Sequence, residues 1–213
     1  MTSVAAGWLA LAVAAALTDW VAVDRGWRPV ELVAKPLTMV ALILATLAAD
    51  PGEPDARPWF VLAQVLSLAG DVALMLKVRA LFLVGLASFL VAHLAYVVGL
   101  AGFGLHGIGL LAGLAVVAVM VVAVGLPLVA GVRRNDADMG LPVIAYIVVI
   151  STMVVAAVGT LSPLAIAGAA LFYASDATLG WNRFVRPLPR GDLAVMVTYH
   201  LAQMLLFLAL VAG

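Results

Sequence analysis

The 213-residue chain contains no cysteine. That excludes disulfides, thiolate metal sites and cysteine nucleophiles. Charged residues make up only 10% of it, and the formal net charge is zero, so it has none of the basic character a nucleic-acid partner would require. No GxSxG, Walker or Rossmann pattern and no HExxH spacing occurs, which leaves serine-hydrolase elbows and nucleotide chemistry without support. The first 18 residues lack the basic start of a cleaved signal peptide, and their apolar run reads as a retained first span.

Hydrophobic residues, by contrast, make up 66% of the chain, well above the usual share of about 45–50% in a soluble domain. The runs approach the length of about twenty residues that crosses a bilayer as helix, and they carry Gly and Pro instead of strict alternation. The expected fold class is an all-α integral membrane protein. Eight transmembrane helices in one bundle are predicted near 3–22, 31–49, 58–76, 80–101, 107–130, 140–160, 163–181 and 191–211. The short polar connections Asp50–Pro58 and Arg133–Asp138 are rich in turn formers, and no soluble domain is left over.

Ten of the eleven Lys and Arg fall at the first, third, fifth and seventh connections, and only Arg57 lies on the other side. The positive-inside rule makes those connections cytoplasmic and both termini non-cytoplasmic. Depth follows from orientation. At about 1.5 Å per residue from the flanking basic residues, Asp71 and Asp176 lie roughly 9–11 Å inside the inner face, His200 roughly 13 Å and His93 roughly 18 Å. This layering predicts one cavity opening toward the inner leaflet or cytosol. Span 5, almost without polar side chains, is expected to face lipid.

Asp71 and Asp176 are the leading candidates, since a carboxylate inside an apolar span is costly unless it is paired, protonated or used. Two such acids in a low-dielectric cavity can hold different protonation states, one donating and the other accepting, as acid–base hydrolysis requires. The alternative is a structural role, with Lys77 or Arg183 as partner. Gly70 and Ser175 beside the acids suit close helix packing and would also admit a ligand. Lys35, at the expected start of span 2 with Pro36 setting its entry, would neutralise a buried aspartate or a lipid phosphate, or simply snorkel. Asp19 and Glu31 are candidate interfacial partners of Arg25, Arg28 or Lys35.

His93 and His200 have three readings: ligands with the acids for a divalent ion, hydrogen-bond partners of the acids or substrate, or core histidines. Ser88, Tyr96, Tyr146, Ser151 and Asn182 are polar enough to line a cavity, while His106 lies in an outer loop. A weak internal echo joins spans 1–4 to spans 5–8. Gly70-Asp71-x-x-Leu74 matches Ser175-Asp176-x-x-Leu179, and each is followed by a histidine in the next span with a tyrosine beside it, Tyr96 or Tyr199. Two parallel halves facing each other would produce such an echo.

Taken in order, Lys35-Pro36-Leu37-Thr38, Ser67-x-x-Gly70-Asp71-x-x-Leu74-Met75, Gly85-Leu86-x-Ser88-Phe89-x-x-x-His93-x-x-Tyr96 and Gly168-Ala169-x-Leu171-Phe172-x-x-Ser175-Asp176-x-x-Leu179-x-x-x-Arg183-Phe184 resemble the YhhN family of eight-span, lysoplasmalogenase-like membrane proteins. The resemblance implies hydrolysis of the vinyl-ether bond of a lysoplasmalogen to a fatty aldehyde and a glycerophospho-ethanolamine or -choline, without a cofactor or metal. It further implies Asp71 and Asp176 as catalytic acids. Lys35 and Arg183 would bind the phosphate, and Ser88, His93, Tyr96, Ser175 and His200 would complete the substrate site. A lysophospholipid and the surrounding lipids are the expected partners, and the inner membrane of a bacterium the expected location. Other readings are a different lysolipid or ether-lipid hydrolase, with or without a metal held by His93, His200 and the aspartates, and a non-catalytic lipid-binding or transport protein.

Overall fold

The computed structural model describes residues 1–76 and 78–212, with the side chain of Arg79 left out of the description. Every extended element among the described residues is helical, as the composition predicts. The helices are α1 (Ser3–Arg25), α2 (Arg28–Ala48), α3 (Arg57–Met75), α4 (Arg79–Ala101), α5 (Gly107–Met120), α6 (Leu126–Asn135), α7 (Gly140–Gly159), α8 (Pro163–Phe184) and α9 (Gly191–Ala212). One π turn, Val121–Gly125, joins α5 and α6 into a single span. Pro127 explains that turn: it has no N–H to give the preceding turn, and a wider turn accommodates the freed carbonyl and the ring. Seven spans are long and apolar enough to cross a membrane. The remaining one, α8, has 22 residues but carries Asp176, Asn182 and Arg183.

Local chemistry sets the ends. Thr2 caps α1 by accepting from the Ala5 N–H at 3.0 Å, and its hydroxyl donates to the Ala48 carbonyl at 2.7 Å. Gly26 terminates α1 in the left-handed region at φ 68°, where a side chain would be strained. The boundaries of α2 differ from expectation. Pro29 opens the helix in its first turn, so the helix starts at Arg28 and Pro36 lies inside it. Lys35 is therefore about 10 Å along the helix and no longer at its entry.

Seven spans form a closed ring in the order α1, α2, α3, α4, α7, α8, α9, with α9 returning to α1. The α5–α6 span stands outside the ring against α7 and α8. Its outward side chains, including Ile108, Leu111 and Val122, are exposed, as expected of a lipid-facing helix. Its inner third departs from that expectation, because Leu128 and Val132 are buried with Phe184 against α8. The bonds Thr2–Ala48 and Gly52–Leu210 gather both termini at one end, and Asn135–Phe184 and Arg190–Asp24 mark the opposite end. An even number of crossings requires this.

Small residues let the outer span seat. A Cβ on Gly109 would lie 2.6 Å from the Val158 carbonyl oxygen and 3.0 Å from the Gly159 Cα, both backbone atoms that cannot rotate away. Gly109→Val should therefore lower the thermal midpoint, by the equivalent of about 1–3 kcal/mol of overpacking. Gly7→Val, at a helical glycine with nothing within 4 Å, should leave the midpoint unchanged. Thermal unfolding of both variants in the same detergent checks this.

Candidate active site

At the basic end the ring opens into a cleft of about 720 Å³, lined among others by Arg28, Glu31, Lys35, Asp71, Asp176, Asn182, Arg183, Asp192 and Tyr199. The acids of α3 and α8, 105 positions apart in sequence, face the same space. A second, narrow pocket adjoins it, bounded by Phe82, Leu86, Val124, Leu128, Ile147 and Tyr173 and almost wholly apolar. Asp176, Leu74, Phe82, Phe89 and Leu179 belong to both walls, so the polar and apolar spaces meet at Asp176.

The two aspartates have different surroundings. Asp71 is 1% exposed, and each of its oxygens has a donor: Lys35 Nζ lies 3.0 Å from Oδ1, and the Tyr199 hydroxyl donates to Oδ2 at 2.6 Å. An ionised carboxylate is the form that this pairing satisfies. Among the described residues Asp176 has no cation beside it. Its Oδ2 accepts from the Tyr146 hydroxyl at 2.6 Å and lies 3.5 Å from His93 Nε2.

His93 Nδ1 is 2.6 Å from the Phe89 carbonyl oxygen, which can only accept, so Nδ1 carries the hydrogen. In the neutral ring Nε2 then presents a lone pair to Asp176. Two lone pairs meeting there repel unless one holds a proton, and at 3.5 Å Nε2 has no hydrogen-bond partner of acceptable geometry among the described residues. Phe89, Phe172 and Tyr199 stack edge to face beside the acids, with ring centroids 5.5–6.3 Å apart. Gly70 permits the arrangement. Any Cβ there would meet the Phe89 ring at 2.6 Å.

The YhhN family profile matches residues 30–210, which takes in all of these side chains except Arg28. The chain belongs to the YhhN family. A lysoplasmalogenase of pig, TMEM86B, is 34% identical over 198 residues, covering 89% of this YhhN chain and 79% of that protein. Human TMEM86B, also named a lysoplasmalogenase, is 36% identical over 147 residues, or 69% of this chain, and the match spans only 61% of the human protein's length. A lysoplasmalogenase of Mycobacterium tuberculosis is 33% identical over 171 residues, 78% of this chain and 64% of that protein. No solved structure was found to match.

Not every candidate residue reaches the cleft of this YhhN protein. Lys35 does, paired with Asp71, the first of the three roles expected for it, and among the described residues Arg28 and Arg183 are further cations lining the cleft. Ser175 lines the cleft while its hydroxyl donates to the Val195 carbonyl at 3.1 Å. Ser88 lies between α3 and α4, donating to the Leu66 carbonyl at 2.7 Å. Tyr96 is fully buried behind the cleft, bonded to Gln203.

His200 faces away as well, accepting at Nδ1 from the Trp20 indole at 3.1 Å. His93 and His200 thus serve different partners, and among the described residues no three His, Asp or Glu converge as a metal set. Asp19, expected at the interface, is instead wholly buried, whereas Glu31 pairs with Arg28 at 2.6 Å as anticipated. Lys77 lies outside the described residues. His106 is exposed and precedes α5.

Two residues that bond the acids, Tyr146 and Tyr199, carried little weight in sequence. An isolated Tyr in an apolar span usually packs, and only the echo of the Asp–His spacing pointed at Tyr199. Arg28 entered only as an orientation charge and a candidate partner of Asp19 or Glu31.

Removing one partner of a buried ion pair strands the other charge. Lys35→Met should therefore destabilise the protein by about 3–5 kcal/mol, and Lys35→Met combined with Asp71→Leu should recover most of that loss. Unfolding midpoints of the single and double variants decide it; a double variant no more stable than Lys35→Met would contradict the pairing.

Proposed function

We propose that this protein is a membrane lysoplasmalogenase in which Asp176 and Asp71 act as acid and base. The observation that carries the reading is the meeting of a polar cleft and an apolar pocket at Asp176. A lysoplasmalogen has that division: one hydrocarbon chain, a polar head, and a vinyl ether at the junction between them. The hydrocarbon would enter from the bilayer between α4, α6, α7 and α8, with the head group beside Arg28 and Arg183. The names of the relatives support the same substrate class.

A vinyl ether is cleaved by protonating the carbon remote from oxygen. Asp176 supplies that proton, held in place by Tyr146 and shared with His93. The resulting oxocarbenium ion is stabilised by two carboxylates behind low-dielectric walls. Water attacks the carbon bearing oxygen and gives its proton to Asp71, whose position is fixed by Lys35 and Tyr199. The hemiacetal then collapses. Asp176 recovers a proton from the hydroxyl, Asp71 returns its proton to the departing glycerol oxygen, and a fatty aldehyde leaves with both acids restored.

By the distribution of basic residues, the cleft opens to the cytoplasmic face of a bacterial inner membrane. With no native cysteine, single introduced cysteines report this cleanly. An impermeant maleimide should label Thr2→Cys in intact cells and Asn135→Cys only after permeabilisation; the reverse pattern would invert the orientation.

Purified protein given lysoplasmenyl-ethanolamine should release aldehyde, and its absence from a folded preparation would overturn the proposal. Asp176→Asn and Asp71→Asn should each lower kcat by about a hundredfold or more. Tyr146→Phe, which removes only the hydroxyl on Asp176, should cost about tenfold, the scale of one charge-assisted hydrogen bond. Full turnover in both aspartate variants would remove the acid–base assignment whatever the substrate.

A further inference from the structure

Behind the Asp71–Tyr199 bond lies a polar face that the reaction above does not use. Gln64, Ser67 and Asp71 stand at i, i+3 and i+7 on α3 and so share one side of that helix. The Tyr199–Asp71 bond sets α9 against α3. Moving four residues away from the mouth on each antiparallel helix, about 6 Å, brings Ser67 level with Gln203. Tyr96 closes the space from α4: its hydroxyl donates to Gln203 Oε1, and the Phe60 ring covers it at 5.2 Å.

Gln64, Ser67 and Gln203 are all 0% exposed. Among the described residues both amide atoms of Gln64 and the hydroxyl of Ser67 have no hydrogen-bond partner, while the amide nitrogen of Gln203 has only the neighbouring Tyr199 hydroxyl to approach. Thr38 and Thr46 show that this is a choice of direction. Those buried hydroxyls bond the carbonyl one turn back, whereas Ser67 does not. Buried donors and acceptors left over by the protein and clustered in this way are what an internal water satisfies, each needing two to four polar partners.

We propose that Gln64, Ser67 and Gln203 hold a buried water cluster directly behind Asp71, and that this cluster supplies the hydrolytic water. The inference rests on the reaction proposed above, which consumes one water for each vinyl ether converted to aldehyde and alcohol. A lipid whose head and linkage fill the cleft excludes bulk water from the mouth. A store on the far side of Asp71 delivers water to the base without crossing the substrate, and the Tyr199 hydroxyl stands between store and carboxylate.

Radiolytic hydroxyl-radical footprinting of the full chain in lipid nanodiscs, without substrate, tests the site directly, because radicals formed from bound water oxidise the side chains beside it. Tyr96 should be oxidised well above Phe207, which is equally buried in an apolar cluster. In Gln64→Leu, and separately in Ser67→Ala, oxidation of Tyr96 should fall toward the Phe207 level. In Gln64→Leu kcat should drop about tenfold with KM unchanged, while the thermal midpoint is retained or raised. Gln64→Met is the substitute if Gln64→Leu does not fold.

Protection of Tyr96 in the unsubstituted protein equal to that of Phe207 overturns the water site. Loss of Tyr96 oxidation with full kcat overturns its role as supply. Oxidised Tyr96 in a protein that releases no aldehyde leaves the water site standing and removes the reaction proposed for it.

Discussion

The architecture turns on a carboxylate placed where water is scarce. Asp71 is 1% exposed in a helix that spans a bilayer, and a lone charge there would unfold the ring or be neutralised. Lys35 from α2 and Tyr199 from α9 each satisfy one oxygen, so three helices are tied at a single group. The lysine is itself almost fully buried, which makes the pair interdependent: neither charge is tolerable without the other. A membrane bundle has little hydrophobic drive to bring its helices together, because lipid is as apolar as the helix surface. Polar ties of this kind and close glycine contacts therefore determine which helices meet. The seven-span ring, with one span left outside, is the geometric result.

The second acid shows how the same residue type acquires a different character from its surroundings. Among the described residues Asp176 has a tyrosine and a histidine but no cation, while Asp71 has a cation and a tyrosine. One setting accommodates a shared proton and the other accommodates charge. Phe89 and Phe172 pack beside them, and Gly70 gives Phe89 room to stand there. The contrast between the two settings thus rests on apolar side chains as much as on polar ones, because apolar walls keep the dielectric low and the geometry fixed.

The spans, their number and the position of the buried acids were legible in the chain. Burying about twenty apolar residues as helix is the one way a bilayer lets backbone satisfy itself, and an acid within such a run stands out against that background. Lys35 shows the boundary of this reading. Its place before Pro36 suggested a helix entry, but Pro29 opens the helix earlier, so the lysine lies deep enough to meet Asp71. Ser88, Tyr96 and His200 have the composition of site residues, yet they bond the neighbouring Leu66, Gln203 and Trp20. Spacing along one helix fixes a face but not what that face meets.

By itself the sequence determined a membrane bundle with charge at one end and two acids at matched depth, because hydropathy and basic residues act locally, run by run. It also marked the YhhN family through an ordered set of motifs. Only the tertiary structure decided that α3 and α8 face one cleft, that Lys35 belongs to Asp71 and His93 to Asp176, and that an apolar pocket ends at the second acid. Those are relations between helices distant in the chain. They depend on which faces pack, and in a bilayer that choice is made by a few polar ties and small residues whose partners the one-dimensional pattern does not name.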